Sequence, residues 1–131
     1  MFQTLITSIE NNVLTITINR PEKLNALNKN VFADLDKALD DIEKNPEIRS
    51  AIITGAGPKA FVAGADISEF SDYSKEQAMA MAKRGQDIFL RIERCNKPII
   101  AAVAAATGLA VIACCDAMVA IAIGRSGRMP F

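Results

Sequence analysis

AIITGAGPKAFVAGADISEF, residues 51–70, combines a short apolar run, a glycine-rich turn and a segment of small residues that ends in an acid. Residues 50–54 have the length and composition of a buried strand bounded by turn residues. Ala63, Gly64 and Ala65 have little or no side chain, so their backbone amides are not shielded. The stretch therefore predicts a buried strand followed by a loop that presents bare amides to a ligand.

Upstream of this stretch, the apolar pattern predicts two strands and a helix. Leu14, Ile16 and Ile18 alternate with polar residues, which is the period of a half-buried strand. An earlier strand is predicted over residues 2–9, joined to it by a turn. The helix is predicted to begin after an N-cap at Asn28 or Asn30, to end at Asn45, and to bury Phe32, Leu35, Leu39 and Ile42.

Downstream, a second helix and a further strand complete an α/β pattern. Ser74 and Gln77 have the spacing of a capping box, and residues 99–103 predict another buried strand. The order β, β, α, β, loop, α, β indicates an α/β class, and 131 residues suit a single domain. The apolar face of the second helix comprises Ala78, Met81, Ala82, Gly85, Ile88, Phe89 and Ile92.

Composition excludes several classes of function. Fifteen basic and fifteen acidic residues cancel, so no net field favours nucleic acid or an anionic membrane as partner. The chain has no histidine, which removes histidine-based triads and histidine metal ligands, and no metal site is expected. Cys95, Cys114 and Cys115 fit neither a disulfide framework nor a C-x-x-C site, and no secretory signal begins the sequence. We therefore expect reduced cysteines and a cytoplasmic location.

An uncharged stretch raises the alternative of a membrane span. Residues 99–115 contain no charge, but this length is at the short limit for a span, and Thr107 and Gly108 interrupt it. A buried strand followed by a buried helix is favoured, so no membrane association is expected.

Two local motifs each allow a functional and a structural interpretation. Residues 55–60, GAGPKA, match a dinucleotide-binding loop, but no amphipathic helix follows, so a glycine turn is favoured. Asp66 and Glu69 are spaced as a catalytic pair or as a helix N-cap with its N3 partner, and capping is favoured. If Asp66 begins a helix, the amides beside it point outward from a positive helix end.

Three segments taken together resemble the enoyl-CoA hydratase/isomerase family, the crotonases. These are NRPEKLNALN at 19–28, AIITGAGPKAFVAGADISEF at 51–70 and NKPIIAAV at 96–103. The resemblance covers residues 1 to about 103. It implies an α/β, crotonase-like spiral of repeated β-β-α units, which is incomplete in this chain, and an acyl-CoA thioester as partner. It also implies homo-oligomers, either trimers or hexamers.

The resemblance assigns roles to particular residues. It implies that two backbone amides bind the thioester oxygen, one being the N–H of Ala65 and the other lying near Gly108 or Leu109. Ser68 stands where some hydratases carry a lysine that contacts phosphate. The residues expected to approach the substrate are Lys23, Leu24, Ala26, Lys59, Ala63, Gly64, Ala65, Asp66 and Ile67.

The implied activity is the addition of water to trans-2-enoyl-CoA, giving 3-hydroxyacyl-CoA in fatty acid β-oxidation. No cofactor is expected, because coenzyme A is part of the substrate. An enoyl-CoA isomerase of the same family is the alternative, since the glutamates that separate the two activities are not identified here.

Residues 104–131 depart from the family pattern, although one domain is expected over 1–131. Only Gly108 remains of the family glycines, no glutamate follows Glu93, and the second family glutamate would lie beyond residue 131. Asp116, the only acid after residue 103, is interpreted as part of a structural Cys-Asp pair with Cys115 in preference to a general acid. Two explanations stay open: an incomplete or misread longer hydratase, and a half-domain that binds acyl-CoA or another subunit without turnover.

Overall fold

The structure, a computed structural model, describes residues 1–103. It contains four strands, two α-helices and two short 3₁₀ helices. In chain order these are β1 (Leu5–Glu10), β2 (Val13–Ile18), a 3₁₀ helix (Pro21–Lys23), α1 (Lys29–Lys44), β3 (Ser50–Gly55), a 3₁₀ helix (Ile67–Asp72), α2 (Lys75–Glu93) and β4 (Ile99–Ala102).

The strands form one sheet in the order β1-β2-β3-β4. β1 and β2 are an antiparallel hairpin, with Leu5 opposite Ile18, and residues 11 and 12 form its turn. β3 is parallel to β2, with Ile53 opposite Ile16, and β4 is parallel to β3. Parallel neighbours require crossover connections, which α1 and α2 supply.

The core lies between one face of the sheet and the two helices. Leu14, Ile16 and Ile18 of β2 are buried there, as their alternation predicts. Phe32 of α1 and Phe89 of α2 meet edge to face, with ring centroids 6.1 Å apart, and join the helices. All four apolar residues predicted for the face of the first helix are buried: Phe32, Leu35, Leu39 and Ile42.

The helix boundaries follow the capping residues in the sequence. Asn28, and not Asn30, is the N-cap of α1: its side chain accepts a hydrogen bond from the Val31 N–H at 2.9 Å. The capping box predicted for α2 is present, since Ser74 and Gln77 bond each other's backbone N–H. Asn45 ends α1 as predicted.

Two burial predictions are wrong in part. β4 is not buried on both faces, because the Ile100 side chain lies on the face of the sheet away from the helices and is 52% exposed. On α2 the predicted apolar face is buried only from Gly85 onward, while Met81 is half-buried and Ala82 exposed. Met81 packs against the edge of the core, and both Met81 and Ala82 line a cavity.

None of the helices within residues 1–103 is long and apolar enough to cross a membrane. Most of the uncharged stretch 99–115 lies outside the described residues, as do Cys114 and Cys115. Cys95 is a free, half-buried thiol.

Candidate active site

Two loops at the carboxyl ends of β2 and β3 meet edge to edge and build the site. The first contains residues 19–28, and the second contains residues 56–66. Three backbone hydrogen bonds join them: Ala63 N–H to the Leu24 carbonyl at 3.0 Å, Leu27 N–H to the Gly64 carbonyl at 2.8 Å, and Asp66 N–H to the Leu27 carbonyl at 2.8 Å. Leu27 and Ala65 are thereby paired as an isolated parallel bridge.

This pairing leaves the N–H of Ala65 open. The Gly64–Ala65 peptide is trans, so its N–H points away from its carbonyl, and that carbonyl is turned toward Leu27. Within residues 1–103 no acceptor pairs with the Ala65 N–H, and Ala65 is exposed. Gly64 has a φ of +112°, a conformation that glycine adopts without strain. Since the N–H of Ala63 is bonded to the Leu24 carbonyl, Ala65 is the exposed residue of the 63–65 segment whose N–H stays open.

An ion pair holds the two loops together behind this bridge. A guanidinium nitrogen of Arg20 donates to the Asp66 carboxylate at 3.0 Å, and another donates to the Ala26 carbonyl at 2.5 Å. Both charged side chains are largely buried, at 13% and 11% exposed. Hydrogen bonds from Ser68 and then from Arg20 lower the pKa of Asp66 below its ordinary value of 3.8, so the carboxylate is ionised at neutral pH.

Asn25 fixes the shape of both loops from the inside. It is fully buried with a φ of +58°, a region that asparagine tolerates better than most residues. Its side-chain oxygen accepts from the Arg20 N–H, and its amide nitrogen donates to the carbonyls of Ala56 and Ala60, all at 2.9 Å. Gly55 makes room for it, since a Cβ there would lie 2.7 Å from that nitrogen.

An apolar cavity of about 190 Å³ adjoins Ala65. It opens between the second loop, the second 3₁₀ helix and α2. Its wall is almost entirely apolar and includes Leu27, Phe32, Phe70, Met81 and Phe89. The open amide thus stands at the edge of a space that suits a hydrocarbon chain.

A second cavity, of about 210 Å³, separates the glycine turn from the first loop. Leu24 and Lys59, two of the predicted substrate contacts, line it together with Pro21 and Gly57. Lys23 is exposed at the end of the first 3₁₀ helix, and Ala26 is half-buried with its carbonyl bound to Arg20. The structure therefore brings Leu24, Lys59 and the 63–66 segment to one side of the molecule through the two joined loops.

The structural interpretation is confirmed for the glycine-rich turn and for Asp66, but it is wrong for Glu69. Asp66 is the N-cap of the second 3₁₀ helix and accepts from Ser68 N–H at 3.2 Å and Ser68 Oγ at 2.5 Å. Glu69 does not complete a capping box, because its carboxylate accepts from the Lys29 N–H at 3.1 Å. The GAGPKA segment is a turn with Gly57 at φ +81°, and no helix opens from it. The dinucleotide interpretation is therefore wrong.

Helix capping also changes the prediction for the amides near Asp66. The N–H of Asp66 is bonded to Leu27, and that of Ser68 to the Asp66 carboxylate, so neither points outward without a partner. Gly108, Leu109, Asp116 and the whole 104–131 segment lie outside the described residues. In the described part of the chain, no cluster of acidic, cysteine or histidine side chains has the arrangement of a metal site.

Comparison with known proteins decides the family. The sequence profile of the enoyl-CoA hydratase/isomerase family matches residues 8–124. The chain belongs to the enoyl-CoA hydratase/isomerase family. The profile match continues past residue 103, where the quoted motifs end.

Individual members of this family give the extent of the similarity. A short-chain-enoyl-CoA hydratase of Clostridium acetobutylicum is 39% identical over 122 residues, covering 91% of this chain and 47% of that protein. A crotonyl-CoA hydratase of Syntrophomonas wolfei is 35% identical, covering 97% of this chain and 50% of that protein. The chain thus spans about half the length of the curated relatives it matches.

Solved structures confirm the fold prediction. An enoyl-CoA hydratase from Bacillus anthracis superposes with a TM-score of 0.76 at 30% identity, covering 79% of this chain and 40% of that one. The described residues therefore have the mixed α/β architecture of enoyl-CoA hydratases in this family.

Sequence reasoning missed two residues that shape the site, Arg20 and Asn25. Both lie inside the quoted motif at 19–28, and no local pattern there gives either residue a role of its own. The carboxylate partner of Arg20 is 46 residues away, so no local pattern links the two. Asn25 lies directly after Leu24, and asparagine in a short polar loop is a known signal for positive φ.

Proposed function

We propose that this chain serves as an enoyl-CoA hydratase, adding water to trans-2-enoyl-CoA to give 3-hydroxyacyl-CoA in fatty acid β-oxidation. The observation that carries the proposal is the open N–H of Ala65 at the edge of an apolar cavity. Family membership and hydratase relatives that cover most of this chain support it.

The geometry suits the charge that develops during hydration. Water oxygen bonds to C3, its proton leaves, the C2–C3 double bond opens, and negative charge gathers on the thioester oxygen before C2 takes up a proton. An amide already fixed in direction stabilises that oxygen without reorganising, at about 3 to 4 kcal/mol for one donor. Ala65 offers such an amide, because its peptide plane is held by Leu27.

The cavity supports a short acyl chain as substrate. A cavity of about 150 Å³ lined by apolar side chains holds benzene, and the space beside Ala65 measures about 190 Å³. An acyl chain of about four to six carbons is of comparable size. The side of the molecule that carries Leu24 and Lys59 would then face the CoA moiety, and the cationic Lys59 is suited to its phosphates.

The remaining features are proposed from the family resemblance. We propose a homo-oligomer, either a trimer or a hexamer, and a cytoplasmic location. We propose no cofactor beyond the CoA of the substrate, because hydration neither oxidises nor reduces it. Sedimentation of the purified chain measures the oligomeric state directly.

Incubation with crotonyl-CoA tests the proposed activity. We expect conversion to 3-hydroxybutyryl-CoA. The reaction is monitored by the loss of enoyl-thioester absorbance, and the product is identified by chromatography. Movement of the double bond without water uptake would indicate the isomerase instead. Unchanged crotonyl-CoA, in a sample where calorimetry shows the thioester bound, would contradict the proposal and leave an acyl-CoA-binding module.

A further inference from the structure

Arg20 stands at the start of a chain of hydrogen bonds that ends at the open amide. Its guanidinium donates to the Ala26 carbonyl at 2.5 Å. The same peptide unit carries the N–H of Leu27, which donates to the Gly64 carbonyl at 2.8 Å. The peptide of that carbonyl carries the N–H of Ala65. Two peptide groups therefore connect a buried cation with the candidate oxyanion donor.

Both hydrogen bonds in this series run in the same direction, with the donor on the side of Arg20 and the acceptor on the side of Ala65. A cation that pulls electron density from one carbonyl makes the N–H of that peptide a stronger donor, and the effect passes to the next peptide. Hydrogen bonds in such a series strengthen one another by about 10–30% each in condensed-phase estimates. At the end of the series, the Ala65 N–H becomes a stronger donor to any oxygen placed against it.

Burial keeps this effect from being lost to water. The Arg20 side chain is 13% exposed, and its other partner, the Asp66 carboxylate, is 11% exposed. Asp66 fixes the guanidinium in place, and its second oxygen is occupied by Ser68. The backbone of Asp66 also donates to the Leu27 carbonyl, so the ion pair and the relay peptides form one unit.

We propose that Arg20 is a positioning residue for the oxyanion site, which polarises and orients the Ala65 N–H through the Ala26–Leu27 and Gly64–Ala65 peptides. The inference rests on the proposed function, since it assumes that a thioester oxygen binds at Ala65. It goes further by assigning a role to a side chain that touches no substrate.

A conjugated 2,4-dienoyl-CoA thioester is the probe. Its absorption moves to longer wavelength when donors hold its carbonyl oxygen, and this shift is read at saturation immediately after mixing, before turnover. We expect Arg20→Gln to reduce the shift by about 10–30%. Arg20→Lys, which keeps the charge, should restore most of it. Arg84→Gln, an exposed arginine on α2, is the matched control and should leave the shift unchanged.

A second variant breaks the relay and leaves the ion pair intact. Replacing Leu27 by its α-hydroxy acid through nonsense suppression substitutes an ester oxygen for the N–H that bonds Gly64 and weakens the Ala26 carbonyl as an acceptor, while the Arg20 and Asp66 side chains stay unchanged. The relay predicts a reduced shift here as well, whereas a purely through-space effect of Arg20 predicts no change. If Arg20→Gln does not fold, this variant tests whether the relay strengthens the Ala65 N–H as a donor.

The outcomes separate the two proposals. If the unmodified protein binds the dienoyl thioester without any shift, the oxyanion role of Ala65 fails, and the proposed function with it. If the unmodified protein shows the shift and the Leu27 hydroxy-acid variant keeps it in full, the relay alone is overturned. Affinity for free CoA, measured on each variant, should stay constant, and a parallel loss of CoA affinity would indicate a merely structural role.

Discussion

The buried amide of Asn25 satisfies three loop groups that have no other partner among the described residues. Asn25→Asp keeps the oxygen that accepts from Arg20 but replaces the donor that serves the carbonyls of Ala56 and Ala60. Leaving two buried carbonyls against a carboxylate should cost about 2–5 kcal/mol of unfolding free energy. Urea denaturation measures this cost.

Asn12→Asp is the matched control for that substitution. Asn12 also has a positive φ and donates to a carbonyl, that of Glu47 at 2.9 Å, but it is exposed. We expect a cost below about 1 kcal/mol there, since water replaces the lost donor. Equal costs at both positions would show that burial of Asn25 has no energetic role.

At the residue scale, the sequence could predict groups whose partners are close in the chain. The caps at Asn28, Asp66 and Ser74 were all predictable, because an N-cap bonds an amide two or three residues away. The partners of Arg20 and Asn25 lie in other loops, so their roles depend on the register of the sheet. Sequence alone could identify the bare amide of Ala65 but not the groups that aim it.

At the element scale, one arginine clamps the two helices together. Arg91 of α2 bonds the carboxylates of Asp36, Asp40 and Glu43 on α1, at distances from 2.5 to 3.1 Å. Arg91→Gln should lower the Tm by several degrees at low salt, because three neighbouring carboxylates lose their shared cation. The loss should shrink in high salt, which screens such charges. Lys83→Gln, which breaks only the exposed pair with Asp87, should change the Tm little.

Helix α2 also supplies the wall of the apolar cavity, and Met81 lies in it half-buried. Met81→Ala should enlarge the cavity and favour longer acyl chains. Each buried CH₂ contributes about 0.8 kcal/mol, so two more carbons should improve affinity by up to roughly tenfold. Calorimetry with butenoyl- and hexenoyl-CoA measures the ratio. Met79→Ala, at an exposed position on the same helix, is the control, and an identical ratio in both variants would show that Met81 does not limit chain length.

The types and order of the strands and helices followed from the sequence, and burial was the weaker prediction. The period of β2 and the apolar face of α1 give both structure and burial correctly, because each element packs along its whole length. Ile100 and Ala82 belong to elements that border a cavity or an outer sheet face. An apolar pattern alone does not distinguish such a surface from the core.

At the scale of the whole molecule, acid stability should depend on three carboxylates. Hydrogen bonds from Arg91 lower the pKa of Asp40 and Glu43, and hydrogen bonds from Ser68 and Arg20 lower that of Asp66. A pKa that is lower in the folded state means that the unfolded state binds more protons, so the unfolding free energy rises with pH in that window. It should therefore be constant near neutral pH and fall as the pH drops below the ordinary values of 3.8 and 4.5.

Chemical denaturation at a series of pH values measures this dependence. Asp66→Asn should reduce the fall in unfolding free energy at acid pH, while the part of that fall due to Asp40 and Glu43 should remain. If the variant keeps the full acid dependence, then Asp66 does not contribute through its lowered pKa.

The open N–H of Ala65 connects the fold to the proposed chemistry, and infrared spectroscopy tests it most directly. Crotonyl-CoA labelled with ¹³C at the thioester carbonyl reports the strength of hydrogen bonds to its oxygen. We predict a lower C=O stretching frequency when it is bound to the protein than in water, and a return toward the free value when lactic acid, which lacks the N–H, replaces Ala65. An unchanged frequency in that variant, with the thioester bound at the same affinity, would contradict the role of Ala65.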